Sequence, residues 1–476
     1  MRARPPRIGL IVDHPKRDLP GNVLVCHELS RRGVESYLIP LYEQQIDAPL
    51  LKLDAIVVNY ARSNNFSLVE SYARAGTAVY VLDTEGGVLA DRGHSTPTSL
   101  ARYIRESGYS RVLSGYLFWG RELWQAFVRD GAIPAERLHV TGCPRFDFLA
   151  PNWRQVLKPA RTGHILINTN YPAVNSRFTG RAQDDRAAIK SSGYADDYIE
   201  QLLVDTRKIM KGMIDTVNRL AEDFPSQQFV VRPHPFENET VYHQAFAGRI
   251  NVVVDGSGGV FEALYGAKAL LHLNCGTSIE AMMLGIIPYA LEFLNTDHLL
   301  KHASLPSRVS RAVHSYEELA SFVAADGSDP KFNCADRYRE IAEPYFHSSD
   351  GRAVERVADV LLNDLHTATV SPAPQLTSCP ATTIGRRKLS LGQKAQLFTG
   401  RVLGSVASRA IRSLFQPMRR DKAFAVSDVI DWLDRLAAHT GQPAPRARHA
   451  RHPVTNLPLT SIMVEGGADI RASVSR

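Results

Sequence analysis

"GHILINTNY", residues 163–171, decides the fold. Ile165, Leu166 and Ile167 form an unbroken apolar run behind a glycine, and Asn168, Thr169 and Asn170 follow it. Such a run reads as a strand covered on both faces, as in a parallel sheet. The chain has already opened with one, "RIGLIVDH" (7–14), followed by the helical "GNVLVCHELSRRG" (21–33) closed by Gly33. Between them "ESYLIPL" (35–41), "LDAIVVNYA" (53–61) and "TAVYVLD" (77–83) are further strands and "FSLVESYARAG" (66–76) is a helix; "RVLSGY" and "RLHVTGCPRFDFL" continue the series. Residue 163 is therefore a restart. A long helix near 195–223 follows, then "QQFVVRPHP", "INVVVD", "ALLHLNCGTSIEAMMLG" and "IIPYALEF". Two successive α/β patterns predict two Rossmann-like domains facing across a cleft, residues 1–160 and 161–365. The second ends in paired closing helices within 337–365.

Length and composition agree with this division. At 476 residues the chain exceeds what one core supports, and 44% hydrophobic with 22% charged residues is ordinary for a soluble globular protein. No run approaches the roughly 20 apolar residues of a membrane span. The apolar run Ile8 to Val12 is too short for a signal peptide, so a cytoplasmic protein is expected. Cys26, Cys143, Cys275, Cys334 and Cys379 are scattered, without CxxC spacing, which fits reduced thiols better than disulfides or a zinc site. Residues 366–385, rich in Pro, Thr and Ser, read as a linker, and 386–476 as a basic amphipathic helix with a flexible tail.

Several stretches have the residue types that chemistry needs. In "HLNCGTSIEAMMLGIIP" (272–288) a strand ends in small polar residues and a helix opens near Ser278. Gly276, Thr277 and Ser278 at that start suit a phosphate, and Glu280 one turn in suits a ribose hydroxyl. A capped helix with a solvated glutamate meets the same sequence. In "VVRPHPFE", Pro233 and Pro235 hold His234 extended at a strand end, where its imidazole can donate to a leaving phosphate. Arg232 adds charge there unless the strand's alternation turns it away. "VLDTEGGVL" (81–89) ends a strand in Asp83 and Glu85, candidate catalytic carboxylates, or else a turn stabilised by Asp83. Arg145 and Asp147 of "TGCPRFDFL" pair with each other or contact acceptor or donor, and Asn168 and Asn170 are further contact candidates. "VDGSGGVFEALYG" reads as a tight turn more readily than as a second phosphate loop. With no HExxH, Walker A, GxSxG or well-placed DxD, no metal, cofactor, P-loop hydrolysis or serine hydrolysis is expected, and no nucleic-acid partner.

Taken together, "DTEGG", "TGCPRFDFL", "ILINTNY", "VVRPHPFE" and "LHLNCGTSIEAMMLGIIP" resemble the bacterial surface carbohydrate biosynthesis family across roughly residues 5–365. That family is related to the capsule and lipopolysaccharide Kdo transferases and, more distantly, to bacterial sialyltransferases. The resemblance implies a glycosyltransferase-B fold and metal-independent sugar transfer from a CMP-linked, Kdo- or sialic-acid-like donor to a glycan or lipid-linked glycan acceptor. It also implies Glu85 as the catalytic carboxylate, His234 with Pro235 as the pair contacting the nucleotide phosphate, and Thr277 with Ser278 completing that site. Thr84 stands where the family's acidic doublet has its first carboxylate, which leaves Asp83 and Glu85 both open. A CDP-alditol phosphotransferase, a UDP-sugar 2-epimerase-like isomerase and a non-catalytic scaffold are the alternatives.

The net charge of +7 is concentrated near the C-terminus. Placed at helical spacing, Lys394, Arg401, Arg412 and Arg419 share a stripe with Ser390, Ser405 and Ser408. That predicts a helix within 386–422 lying on an anionic membrane surface, at the inner face of the cytoplasmic membrane, or else packed on the body with its stripe in solvent.

Overall fold

A computed structural model of the chain describes residues 4–87, 97–178, 186, 190, 195–302, 304–367, 405–406 and 418–466. The strands are β1 (Arg7–Val12), β2 (Glu35–Pro40), β3 (Ala55–Val58), β4 (Ala78–Leu82), β5 (Gly115–Phe118), β6 (Leu138–Val140) and β7 (His164–Asn168). They continue as β8 (Phe229–Arg232), β9 (Val252–Val254), β10 (Ala267–His272), β11 (Ile287–Leu291), β12 (Arg311–Val313), β13 (Arg446–Arg451) and β14 (Pro458–Glu465). Among the helices, α1 is Pro15–Arg31, α2 Asp196–Asp223, α3 Thr277–Leu284, α4 Ala353–Thr367 and α5 Val426–Thr440. The chain divides into two compact units, one of residues 1–86, 100–156 and 350–476, the other of 87–99 and 157–349. Each is an α/β unit on a mainly or wholly parallel sheet.

In the first unit the strand order is β13-β14-β2-β1-β3-β4-β5-β6, with β1 to β6 all parallel. These strands read as continuous apolar runs because both faces are covered: Ile8, Leu10 and Val12 of β1, Ile56 and Val58 of β3, and Val79 and Val81 of β4 are all buried. The chain lays β2 on one side of β1 and β3 on the other, so the strand order reverses between β1 and β3. In the second unit the order is β12-β11-β10-β7-β8-β9, all parallel, and the reversal lies between β7 and β10. Open parallel sheets take ligands at the carboxyl ends of strands flanking such a reversal.

The C-terminal part differs from its sequence expectation. Residues 350–367 belong to the first unit, not to the second as closing helices. The expected flexible tail instead carries α5, which lies against α1, and the hairpin β13–β14, which extends the first sheet by antiparallel pairing of β14 with β2. Leu459, Ile462 and Val464 are buried, and the buried Asp47 carboxylate accepts from Thr460 Oγ1 at 2.7 Å, Ser461 N at 2.8 Å and Ser461 Oγ at 2.7 Å. The reason is pairing at long range: β2 would otherwise be a bare sheet edge, and β14 covers it. Most of 386–422, like the proposed linker 366–385 beyond Thr367, lies outside the described residues. Of what is described there, Ser405 is buried and accepts from Thr460 N at 2.6 Å, and Lys422 is ion-paired with Asp13. The stripe that held Ser405 thus faces protein at that position. Among the described residues, no helix is long and apolar enough to cross a membrane.

Candidate functional site

The carboxyl edge of the second sheet gathers most of the sequence candidates. Asn168 ends β7, His234 follows β8 and the segment 274–277 follows β10. Because β7 lies between β8 and β10, and strands are spaced by about 4.8 Å, the two outer ends stand roughly 10 Å apart.

His234 sits in a turn closed by the Glu237 N–H donating to the His234 carbonyl at 2.8 Å. Its Nδ1 accepts the Phe236 N–H at 3.2 Å. A neutral imidazole with Nδ1 engaged as acceptor has its proton on Nε2, so the turn fixes the tautomer as well as the position. The turn is anchored by Glu237, which the sequence reading quoted but gave no role. This carboxylate is 1% exposed. It accepts from Thr169 Oγ1 at 3.1 and 3.0 Å, from Tyr171 N at 2.8 Å, from Tyr242 Oη and from His234 N at 3.4 Å. Burial pushes its carboxyl above the usual range, while the donors around it pull it back. A carboxylate three residues past a histidine is the available sequence signal, but its target donors come from 169, 171 and 242.

The segment after β10 is equally tied down. Asn274 takes a left-handed φ of 50°, held by Ser307 Oγ donating to its Oδ1 at 3.1 Å and by its Nδ2 donating to Asn295 Oδ1 at 3.1 Å. His272 is fully buried, and burial lowers it to about 3, so it is neutral. Its Nδ1 accepts the Cys275 N–H at 3.4 Å and its Nε2 faces Ser310 Oγ at 2.8 Å. Ser310 in turn donates to the Pro306 carbonyl at 2.6 Å, so the proton between them belongs to His272 Nε2. Ser278 is fully buried and donates to the same carbonyl at 3.4 Å. Thr277 Oγ1 accepts from Cys275 Sγ at 3.4 Å, and a Cβ on Gly276 would meet nothing within 4 Å. The open face of the α3 start is therefore Gly276 with Thr277, while Ser278 points into the unit. Glu280 lies one turn in and is nearly buried.

The remaining candidates in this unit separate. Asn168 is buried at the end of β7, and its Oδ1 has no hydrogen-bond partner among the described residues, whereas Asn170 is exposed. Arg232 donates to the Ser257 carbonyl at 2.5 Å and the Gly258 carbonyl at 2.7 Å, which commits its guanidinium to the glycine-rich loop. That loop is an Asp255-capped turn, with Ser257 N at 2.9 Å from Asp255 Oδ1.

In the first unit, Asp83 and Glu85 end β4 in different environments. Asp83 is 1% exposed, paired with Arg62 at 2.8 Å, and accepts the Glu85 N–H at 3.0 Å. Burial pushes its carboxyl up, against the pull of Arg62. Glu85 is half-buried, and its charge acts on Arg17 and Arg62. Arg145 and Asp147 do not pair. Asp147 accepts the Ala353 and Val354 N–H groups at 3.0 and 2.8 Å and so caps α4, while the buried Arg145 lies 3.6 Å from Asp18, over the Trp119 and Phe146 rings. A cap needs a helix start that only the fold brings to residue 147.

No family model and no curated protein matches the chain. Solved structures do. A UDP-GlcNAc 2-epimerase from Neisseria meningitidis, bound to UDP-GlcNAc, has a TM-score of 0.45 at 12% identity, covering 75% of this chain and 100% of that one. MnaA from S. aureus, solved with UDP, has a TM-score of 0.47 at 12% identity, covering 78% and 100%. The wall teichoic acid polymerase TagF has a TM-score of 0.48 at 10% identity, covering 77% and 90%.

Proposed function

We propose that the chain is a glycosyltransferase-B-type enzyme of cell-surface polymer synthesis, acting on a nucleotide-activated donor whose phosphate is taken by the second unit. The observation that carries this reading is His234, its proton held on Nε2 at a strand end beside the β7/β10 reversal and the open start of α3. When the bond from donor carbon to phosphate oxygen breaks, that oxygen gains negative charge. A fixed N–H and the positive end of a helix are what stabilise it. Glu85 is the carboxylate we assign to the acceptor hydroxyl, because Asp83 is buried and committed to Arg62.

Thermal-shift profiling with CMP, CDP, UDP and GDP tests the reading. Stabilisation by one of them, weakened about tenfold in affinity by His234→Ala at unchanged melting temperature, is the expected result. No stabilisation by any nucleotide sinks it and favours a scaffold. Product analysis then separates the chemistries. Turnover of a UDP-sugar without acceptor marks an epimerase, and release of CMP from a sugar donor or from a CDP-alditol marks a transferase.

We further propose that the basic stretch within 386–422 meets an anionic membrane surface. Its test is flotation with anionic vesicles after Arg386, Arg387 and Lys388 are changed to Glu. Truncation after Leu365 is unsuitable, since it strips α5 and the hairpin from the first unit. Vesicle binding unaltered by the charge reversal defeats this part.

A further inference from the structure

His272 closes β10, and alternation along the strand sets where its ring points. Ala269, Leu271 and Leu273 belong to the apolar cluster on one face of the second sheet. His272 is therefore turned to the other face, towards Ser310 and the short helix Leu305–Val309. The residue is 0% exposed, and a leucine would fill that place at less desolvation cost. What an imidazole adds is one acceptor and one donor at fixed separation. The Ser310 hydroxyl proton is committed to the Pro306 carbonyl at 2.6 Å, so Ser310 Oγ accepts from His272 Nε2–H at 2.8 Å. Nδ1 is left with its lone pair for the Cys275 N–H at 3.4 Å. The same short helix holds the neighbours: Ser307 Oγ donates to Asn274 Oδ1 at 3.1 Å, and the Pro306 carbonyl accepts from Ser278 Oγ at 3.4 Å. Residues 272, 274 and 278 are thus all tied to residues 306–310. Between them stands Gly276, with open space where a Cβ would be.

We propose that His272 is a positioning residue for the phosphate of the donor nucleotide, and that Ser310 acts on that phosphate through it by selecting the Nε2–H tautomer. With the Cys275 N–H drawn inwards by Nδ1, the start of α3 presents Gly276 and Thr277 at its open face. In the other tautomer Nδ1 carries the proton, two donors meet, and the Cys275 backbone is pushed off this position. Burial keeps the ring neutral at ordinary pH, so no charge on it is asked to bind the phosphate. The role, though not the tautomer, rests on the reading that the donor phosphate docks at the start of α3.

Calorimetric titration of the full chain with CMP, CDP, UDP and GDP, beside saturation-transfer NMR with cytidine, uridine and guanosine, separates phosphate from nucleoside. Ser310→Ala should weaken the nucleotide that binds the parent by about fivefold and leave its nucleoside unchanged. His272→Gln, whose amide nitrogen replaces Nε2 but leaves Cys275 without an acceptor, should do the same. His272→Asn, whose oxygen replaces Nδ1, should restore most of the affinity. Both variants lose the ring, so a role in packing alone would weaken both alike, and nucleoside along with nucleotide; that result overturns the proposal. Should the His272 variants not fold, imidazole nitrogen NMR shifts decide. The proton is expected on Nε2 in the unaltered protein and partly on Nδ1 in Ser310→Ala, and Nδ1–H in the unaltered protein overturns the proposal. If no nucleotide binds the parent, the donor reading falls and takes the positioning role with it. Nucleotide binding that Ser310→Ala and His272→Gln leave untouched removes the positioning role alone.

Discussion

Replacing Glu237 by alanine should release the His234 turn. Three buried donors point at this one carboxylate: Thr169 Oγ1, Tyr171 N and Tyr242 Oη. An unsatisfied buried donor costs about 1–3 kcal/mol, so the three together set a range of roughly 3–9 kcal/mol. Water entering the space left by the carboxylate can serve some of them, which puts the expected loss near the low end, about 3 kcal/mol. Since about 1.4 kcal/mol is tenfold, local opening should become on the order of 100-fold more frequent. Hydrogen exchange at the Tyr171 and Phe236 amides reads this directly, because Tyr171 N–H is bound to Glu237 and Phe236 N–H to the His234 ring. Glu237→Gln, which keeps one acceptor oxygen and the volume, should fall between parent and alanine variant. Exchange at Tyr171 accelerated less than about fivefold by Glu237→Ala would refute the view that this carboxylate holds the turn.

Asp147 makes stability depend on pH. Burial pushes its carboxyl from 3.8 up to about 7, so between those values the folded protein keeps a proton that the unfolded chain has lost. Stability should therefore fall as pH rises through this window, by on the order of 4 kcal/mol, and Asp147→Asn should flatten that slope in melting temperature against pH. A Cβ on Gly266 would clash with the Arg161 carbonyl oxygen, so Gly266→Ala should cost at least ~2 kcal/mol in denaturant unfolding; a neutral result contradicts the packing of that turn. Asp47→Ala leaves Thr460 and Ser461 without their acceptor and should loosen the hairpin by about 2–4 kcal/mol. Limited proteolysis between residues 441 and 457 should quicken accordingly, and an unchanged cleavage rate counts against that anchor.

Much of this molecule is legible in its sequence, and the reason is periodicity. Unbroken apolar runs such as Ile165–Ile167 mark strands covered on both faces, and the restart at residue 163 marks a second sheet. Prolines 233 and 235 announce a stiff backbone at His234 without any fold, because their φ is set covalently. Partners distant in the chain are another matter. That His234 carries its proton on Nε2 depends on a turn held by residues 169, 171 and 242. That Asp147 caps a helix start at residue 353 instead of pairing with Arg145 depends on the fold bringing them together. The hairpin near the C-terminus is the extreme case. Its strand β14 pairs with β2 more than 400 residues earlier, as Ile462 opposite Leu38. Local composition is silent on such a pairing, since what decides it is an uncovered sheet edge that exists only once β1 and β2 have formed.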